Sequence, residues 1–341
     1  MLVNRWVKRL VPFMAMMMLF LTGCNFELAG ALEPKGPVAE KQLEMILLSL
    51  GIMGVVLLVV FVLFFWAIAR FRRKPGQNEI PEQIEGNHKL EATWTIIPIV
   101  LLLIIAIPTV ALTFDLEEEA QATEGDGTLV IKVAAKQFWW EFNYPEDGIV
   151  TAQEVYIPVG EKVVFELAAT DVQHSFWVPE LGGKKDTNVG TKNINHLYLE
   201  ADYPGIYKGK CAELCGAGHA LMDFKVHALE QADYDAWKAD MLEPAAVTAE
   251  TELGAELFGT NCISCHAIEP NGLSWGPNLN GFADRDFIGG FRVNNTENLV
   301  GWIKDPTSKD YGKPGVTMPG FEGVLSDDEI NEIVKYLQSL N

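Results

Sequence analysis

The chain has 341 residues, of which 49% are hydrophobic and 21% are charged, and its formal net charge is -20. This length exceeds what one hydrophobic core usually supports, so we expect several domains. The composition excludes disordered and collagen-like chains, and the negative charge argues against a nucleic-acid partner, which needs a basic face. Five cysteines are too few for a disulfide scaffold.

The first 23 residues are typical of a secretory signal. Three basic residues precede an apolar stretch at residues 10–21, and small residues follow at the expected cleavage point. The string Leu-Thr-Gly-Cys24 resembles a bacterial lipobox, which implies cleavage after residue 23 and a lipid on Cys24. An ordinary signal peptide with a cysteine placed there by chance is the alternative.

Two apolar runs predict a pair of membrane-spanning helices. Residues 45–69 carry no charge, and residues 94–113 form a second run that opens with Trp94 and contains Pro98 and Pro108. About 20 apolar residues are needed to cross the hydrocarbon, and proline is tolerated in such helices. A buried core helix is the alternative for the second run, but its flanking tryptophan and acidic cluster favour a membrane span.

The segment between the two spans predicts their orientation. Residues 70–93 begin with four basic side chains, and positive loops stay on the cytoplasmic side. An external segment at residues 24–44 therefore precedes the first span, and an external linker at residues 114–125 follows the second. We predict a multi-pass protein of the cell membrane whose remaining two-thirds lies on the extracytoplasmic side.

Residues 126–230 alternate apolar and polar side chains in short stretches. Residues 129–133 and 162–167 are predicted strands. Residues 155–160 are predicted to form an edge strand or the end of a strand, because Pro158 lacks the amide that a central position in a sheet needs. Turn residues recur between these stretches, so the pattern predicts an all-β domain, either a sandwich or a Greek-key barrel.

A polar, alanine-rich linker is predicted at residues 231–250, and a small helical domain at residues 251–341. Its first helix is predicted to place Leu253, Leu257 and Phe258 on one face. Its last helix is predicted from a capping box at Ser326 and Glu329 and from an apolar stripe made of Ile330, Ile333, Val334, Leu337 and Leu340.

The string Cys262-Ile-Ser-Cys265-His266 in the helical domain is the attachment pattern of a c-type haem. In this pattern the two thiols add to the haem vinyl groups, and the adjacent histidine reaches the iron. A redox pair or half of a zinc site is the alternative. A zinc site needs further thiolates or imidazoles, and His266 is the only histidine of this domain.

Met318 is the candidate for the second iron ligand. It is the only methionine after Met241, and it lies in a loop rich in glycine and proline, well downstream of the haem motif. A core methionine is the alternative. Ligation by methionine and histidine raises the reduction potential and suits electron transfer. The domain resembles a class I cytochrome c over its whole length, and the string Gly-Pro-Asn-Leu at residues 276–279 matches that family's loop on the histidine side.

Residues 211–222 concentrate soft metal ligands. Cys211, Cys215, His219 and Met222 lie within this segment, and His174 offers a second imidazole upstream. Sulfur and imidazole together form the ligand set for copper. A mononuclear blue site uses one cysteine, whereas this set suits two copper ions bridged by both sulfurs. A disulfide between the two cysteines is the alternative, but it would leave the histidine and methionine of this segment unexplained.

The same string closely resembles the copper A motif of cytochrome c oxidase subunit II. The resemblance extends from the first span to about residue 230, and it implies a cupredoxin fold that holds two copper ions. The implied ligands are the side chains of His174, Cys211, Cys215, His219 and Met222 together with the backbone carbonyl of Glu213.

The resemblance also implies roles for two carboxylates at the boundary with subunit I. The carboxylate of Glu213 is implied to reach a magnesium ion shared with that subunit. The string Glu91-Ala-Thr-Trp94 resembles the family's approach to the second span, where the carboxylate lies at the mouth of a proton channel. An ordinary interfacial charge is the alternative for Glu91.

One position departs from the family pattern. Residues 137–142 align with the aromatic stretch above the copper, and Phe138 stands where the family usually places the tryptophan that accepts electrons. Packing is the ordinary role of such aromatic runs. The departure suggests that Trp139 or Trp140 carries the contact instead, with the fused haem domain as the local donor because its tether raises the effective concentration of haem.

The predicted fold is a membrane-anchored multidomain chain with a two-helix transmembrane hairpin, an all-β cupredoxin Greek-key domain and an all-α class I cytochrome c domain. It resembles subunit II of a proton-translocating haem–copper oxidase. The resemblance implies that electrons pass from haem c to copper A and then to subunit I, where oxygen is reduced to water. The implied partners are subunits I and III, external cytochrome c or another reductant, and membrane lipid.

Two other functions remain open at this point. Some nitric oxide reductases also use a copper A subunit, and the gas that the complex consumes would distinguish them. A membrane-bound copper carrier or electron shuttle is the non-enzymatic alternative. A carrier should hold one exchangeable copper ion and no haem.

Overall fold

A computed structural model of the protein describes residues 30–76, 80, 82–83, 85–121, 127–190, 192 and 194–340. The predicted signal segment at residues 1–23 and the predicted lipidation site Cys24 lie outside these residues. The described part of the chain contains two long helices, a β domain and a helical domain, in that order.

Two antiparallel helices form the first part of the structure, α1 (Pro37–Phe71) and α2 (His88–Glu119). Both are long and apolar enough to cross a membrane, and their apolar side chains point outward. The Asn87 side chain caps α2 by accepting hydrogen bonds from the backbone amides of Lys89 and Leu90. Pro98 and Pro108 lie inside α2 without ending it.

Both helices extend beyond the predicted spans, at the ends that face the β domain. Residues 37–44, assigned to the external segment, and residues 114–119, assigned to a linker, are helical. Both extensions pack on the β domain, which gives their apolar side chains a partner beyond the membrane. The cluster consists of Val38, Leu116, Ala120, Val130, Val164 and Tyr198. Lys41 and Lys162 each lie 3.8 Å from the Glu119 carboxylate at this junction.

Within the described residues, the β domain contains ten strands around one hydrophobic core. They are β1 (Leu129–Lys136), β2 (Trp139–Tyr144), β3 (Ile149–Ala152), β4 (Glu154–Pro158), β5 (Val163–Ala169), β6 (His174–Trp177), β7 (Lys185–Val189), β8 (Asn195–Leu199), β9 (Gly205–Cys211) and β10 (Asp223–Leu229). Along the sheet they follow the order β3-β2-β1-β5-β7-β6-β9-β10-β4, and β8 pairs with β5.

Strand pairing explains how the two halves of this domain enclose a core. β1 pairs in parallel with β5 and antiparallel with β2, whereas β10 pairs antiparallel with β9 and in parallel with β4. Side chains from both halves meet inside, with Trp140, Phe165, Phe176 and Phe224 fully buried. The strand that contains Pro158 lies at one end of the order, so the predicted edge strand is confirmed.

The first half of the predicted linker at residues 231–250 is an ordered helix. Residues Gln231–Leu242 form helix α3. Its aromatic residues supply the reason, because the Trp237 ring stacks on Tyr156 of β4 at 4.4 Å between centroids and Tyr234 is buried. The helix thus closes the end of the β domain.

The helical domain packs α4 (Glu252–Asn261), α5 (Thr296–Lys304) and α6 (Asp327–Leu337) around one core, with a short strand pair, β11 (Phe287–Ile288) and β12 (Arg292–Val293), in between. α4 crosses α6 at Gly254, where a Cβ atom would come within 2.2 Å of the Glu332 carbonyl oxygen. The predicted capping box at Ser326 and Glu329 is confirmed, and the predicted apolar stripe is buried. Leu253 departs from its prediction, since it is 52% exposed on the outer side of α4.

The β domain and the helical domain are in direct contact. The Val150 amide donates to the Pro270 carbonyl oxygen at 2.7 Å, and the Asp286 amide donates to the Glu154 carboxylate at 3.2 Å. Glu154 is only 2% exposed, so its carboxylate is part of a closed interface. The two domains are therefore packed together as well as joined by the chain.

Candidate metal centre and haem-attachment site

The predicted metal ligands of the β domain come from two neighbouring strands and one loop. His174 begins β6 and Cys211 ends β9, and these strands pair with Phe176 opposite Cys211. Cys215, His219 and Met222 follow on the loop to β10, which contains a single helical turn at His219–Leu221. Residues separated by 37 positions in the chain thus meet at one end of the β domain.

The ligand atoms converge on the two sulfurs. Cys211 Sγ and Cys215 Sγ are 3.8 Å apart. His174 Nδ1 is 3.9 Å from the first sulfur, and His219 Nδ1 is 3.7 Å from the second. Met222 Sδ is 3.7 Å from Cys215 Sγ. The structure therefore brings all five predicted side chains together.

A backbone oxygen completes the cluster. The carbonyl oxygen of Glu213 lies 3.1 Å from Cys211 Sγ, while the Glu213 residue itself is exposed. Both cysteines are free, and their separation is far longer than the S–S bond of about 2.05 Å. The disulfide that the sequence left open is not formed in this structure.

The cluster is buried, and burial shapes its ionisation. Burial is the largest single influence and would raise the pKa of Cys211, but hydrogen bonds involving His174, Ser175 and Glu213 together outweigh it and lower the pKa to about 7. Burial and the neighbouring Cys211 thiol raise the pKa of Cys215 to about 12. Two adjacent thiolates repel each other in a buried site, so a nearby cation is needed to hold both.

Asp171 contacts the ligand cluster, although no role was predicted for it from the sequence. Its carboxylate lies 2.9 Å from His174 Nε2 and accepts the backbone amide of Gln137 at 2.6 Å. Burial would raise the pKa of Asp171, but these hydrogen bonds lower it below its ordinary value. The contact places the proton of His174 on Nε2 and leaves Nδ1 available to a metal. Its spacing of three residues before the histidine is the only sequence signal for this role.

The aromatic stretch lies beside the cluster. Trp140 is fully buried, its Nε1 donates to the Met222 carbonyl oxygen at 3.4 Å, and its ring lies 6.1 Å from the His174 ring. Trp139 is half-buried, with the Lys136 ammonium 4.5 Å from its ring centroid. Phe138 is 4% exposed. Of the two predicted electron-accepting residues, Trp140 therefore contacts the ligand cluster.

The haem-attachment string lies at the end of α4. Cys262 and Cys265 are free thiols, and His266 Nδ1 lies 2.8 Å from the Pro277 carbonyl oxygen. Burial lowers the pKa of His266, so its imidazole is neutral, with Nδ1 donating to that carbonyl and Nε2 unprotonated. Gly276 makes room for this ring, because a Cβ atom there would lie 2.8 Å from His266 Cε1.

A cavity of about 440 Å³ opens beside this histidine. Its lining includes His266, Leu273 and Trp275. Trp275 is 89% exposed and Leu273 is 62% exposed, so the cavity mouth carries apolar groups that lack a protein cover. An apolar, open cavity next to two thiols and an unprotonated imidazole nitrogen suits a flat, covalently attached macrocycle.

The two remaining predicted residues lie elsewhere. Met318 is half-buried in the loop between α5 and α6, on the carboxyl-terminal side of the haem-attachment string. Glu91 lies in the first turn of α2, where its carboxylate is 3.2 Å from His88 Nδ1. Iron ligation by Met318 and proton entry at Glu91 stay proposals.

Comparison with known families and proteins identifies each part of the chain. The profile described as "Cytochrome C oxidase subunit II, transmembrane domain" matches residues 30–112. The profile "Cytochrome C oxidase subunit II, periplasmic domain" matches residues 148–229, and "Cytochrome c" matches residues 251–341. These matches confirm the predicted fold class of a membrane hairpin, a cupredoxin-like β domain and a cytochrome c domain.

Individual relatives extend over nearly the whole chain. Cytochrome c oxidase subunit 2 of Alkalihalophilus pseudofirmus is 49% identical over 340 residues, which cover 98% of this chain and 97% of the relative. The protein of the same name from Bacillus subtilis is 44% identical and covers 99% of both chains. Quinol oxidase subunit 2 of Bacillus cereus is 38% identical over 69% of this chain and 80% of its own length. The chain therefore belongs to the cytochrome c oxidase subunit 2 family and is a membrane-anchored component of an oxidoreductase complex.

Proposed function

We propose that the chain is the electron-accepting subunit of a haem–copper oxidase on the extracytoplasmic side of the cell membrane. An external cytochrome c or another reductant supplies electrons, which pass through haem c and copper A to subunit I, where oxygen is reduced and protons are pumped. The observation that carries the proposal is the convergence of two thiols, two Nδ1 atoms and a thioether in one buried cluster. Family membership supports the same function.

The residues of the cluster fit a pair of copper ions. The donors divide into two halves, since His174 and the Glu213 carbonyl lie beside Cys211, whereas His219 and Met222 lie beside Cys215. Each half offers one imidazole and one weaker ligand, and the two sulfurs stand between them. Bound copper would supply one-electron transfer, and its positive charge would allow both thiols to ionise.

The residues of the helical domain fit a covalent haem c. Cys262 and Cys265 would form the thioether links, and His266 would present Nε2 to the iron. The hydrogen bond to Pro277 fixes the ring and makes it a stronger ligand. Met318 would be the second ligand to the iron. Ligation by histidine and methionine would suit one-electron transfer rather than oxygen binding.

Replacing Met318 with alanine should remove the spectroscopic signature of low-spin, methionine-ligated iron and lower the haem reduction potential, because thioether ligation raises that potential. The visible spectrum and a redox titration of the purified complex measure both effects. The matched control is Val324→Ala, which truncates a 69% exposed side chain of the same loop and should leave the spectrum unchanged. A native spectrum in Met318→Ala would assign the ligand elsewhere.

Replacing Asp171 with asparagine should weaken copper binding by roughly 10- to 100-fold, as is typical when a carboxylate that orients a histidine ligand is lost. Competition for copper between the protein and a chelator measures the affinity. Asp202→Asn is the control, because Asp202 is exposed on the segment before β9. Equal affinities in the two variants would show that Asp171 does not support the centre.

Two carboxylates are proposed to act toward subunit I. The Glu213 carboxylate is proposed to share a magnesium ion with that subunit, which its exposure supports, and the backbone carbonyl of the same residue is proposed to ligate copper. Glu91, at the start of α2, is proposed to lie at a proton entrance. Glu91 follows the basic loop between the two spans, and that loop is predicted to lie on the cytoplasmic side of the membrane. Cys24 is proposed to carry lipid, which adds little anchoring to two spans.

Gas consumption by the purified complex tests the proposed function. With a reduced external cytochrome as donor, the complex should consume oxygen, and vesicles containing it should acidify the outer medium. Consumption of nitric oxide without oxygen would replace the oxidase with a nitric oxide reductase. A protein that holds a single labile copper ion and no haem would instead be a carrier.

A further inference from the structure

Lys313 is a buried lysine that the proposed electron path does not yet use. It is 1% exposed, although lysine is almost never fully buried unless it is paired. Its Nζ donates to the Gly289 carbonyl oxygen at 2.7 Å and to the Phe138 carbonyl oxygen at 2.8 Å. Gly289 belongs to the helical domain and Phe138 to the β domain, so the Lys313 side chain joins the two domains.

The segment that begins at Lys313 lies directly against the loop between β9 and β10, which carries the proposed copper ligands Cys215, His219 and Met222. A Cβ atom on Gly315 would lie 2.9 Å from the Phe138 ring and 3.3 Å from Ala217 Cβ. A Cβ atom on Gly218 would lie 2.4 Å from the same ring and 2.9 Å from the Pro314 carbonyl oxygen. The backbone segments approach this closely only because both positions are glycine.

This contact adjoins the proposed copper ligands in space and the proposed haem ligand Met318 along the chain. On one side, Phe138 touches the loop between Cys215 and His219. On the other side, Met318 lies five positions after Lys313 along the chain. The position that aligns with the family's electron-accepting tryptophan is thus covered by this chain's own haem domain.

Packing alone does not explain a lysine at this position. A buried ammonium loses its hydration, and burial lowers the pKa of Lys313 to about 7. An apolar side chain of similar length would fill the same space without that cost. What lysine adds is a pair of hydrogen bonds directed at two carbonyl oxygens in different domains.

We propose that Lys313 is a positioning residue that holds the haem domain against Phe138 and so fixes the separation of haem c from the copper pair. This proposal rests on the proposed function. In the step concerned, one electron leaves the ferrous haem iron, which becomes ferric, and enters the oxidised copper pair, whose one cupric and one cuprous ion become two cuprous ions. No bond is broken and no proton is transferred.

The test compares Lys313→Met with the wild type in the purified, fully loaded complex. The rate of electron transfer from photoreduced haem c to copper A should fall severalfold, because electron tunnelling slows exponentially as the two centres move apart. The residual rate should depend on solvent viscosity, because the domains must then find each other by motion. Lys309→Met, an exposed lysine four residues away, is the matched control and should behave as wild type.

Hydrogen exchange separates positioning from folding. In Lys313→Met, amides at residues 136–140 and 216–218 should exchange faster, while those of α6 and the visible and near-infrared spectra stay unchanged. An unchanged transfer rate, or faster exchange throughout α6, would overturn the proposal. Absence of the copper near-infrared band from the wild type would instead overturn the proposed function, so the two failures can be told apart.

Discussion

Replacing Cys215 with serine is expected to eliminate the copper pair and reduce oxygen consumption to background. Its sulfur is the common neighbour of Cys211 Sγ, His219 Nδ1 and Met222 Sδ, each within 3.8 Å. A serine hydroxyl is a hard ligand that stays protonated at neutral pH, so it cannot bridge two soft copper ions. Electrons would then reach haem c and stop there.

Copper content, the near-infrared spectrum and oxygen uptake of the purified complex measure this effect. Haem c should still be reduced by the external donor, which shows that the loss lies after the haem. A matched control removes two other thiols of the same chain, Cys262 and Cys265, and should leave about two copper ions per chain. A Cys215→Ser variant that keeps the near-infrared band would contradict the assignment.

Replacing both Cys262 and Cys265 with serine is expected to abolish covalent haem. Thioether links require a thiol at each position, and a hydroxyl does not add to the vinyl groups under the same conditions. The external donor then has no haem c to reduce, and oxygen consumption that depends on that donor should fall to background. The copper centre should remain, because its ligands lie in a separate hydrophobic core.

Haem staining of the chain after denaturing electrophoresis measures the covalent link, and the near-infrared band reports the copper pair. Ser264→Ala is the matched control, because Ser264 is an exposed residue between the two cysteines. It should retain full staining. Covalent haem in the double variant would show that the attachment string has another role.

Much of the architecture could be predicted from local patterns. The apolar runs predicted two helices, because a membrane-length stretch without charge has few other uses. The edge position of β4 followed from Pro158, and the start of α6 followed from Ser326 and Glu329. Each of these signals acts within a few residues, so the sequence alone contains it.

The metal cluster was predictable for a different reason. Cys211, Cys215, His219 and Met222 are close in the chain, and their chemistry leaves few alternatives to copper. His174 required an assumption about the fold, and the pairing of β6 with β9 supplies the contact. Asp171 was not assigned, because an aspartate on a loop has many ordinary roles and only the folded position shows its bond to His174.

Contacts between separate elements were the part that the sequence did not predict. Residues 231–242 are polar and alanine-rich, and only Tyr156 on a distant strand explains why Trp237 makes this segment an ordered helix. Lys313 likewise resembles any loop lysine until Phe138 is placed beside it. Such long-range partners depend on how the domains pack, which short-range patterns do not encode.

The most direct test of the account is the metal and haem content of the purified full-length chain in its complex, read together with its electron paramagnetic resonance spectrum. The account predicts about two copper ions and one covalent haem per chain, with hyperfine splitting from an electron shared by two equivalent copper nuclei. Copper-free protein in which Cys211 and Cys215 are joined by a disulfide, or a spectrum of a single copper ion, would contradict it.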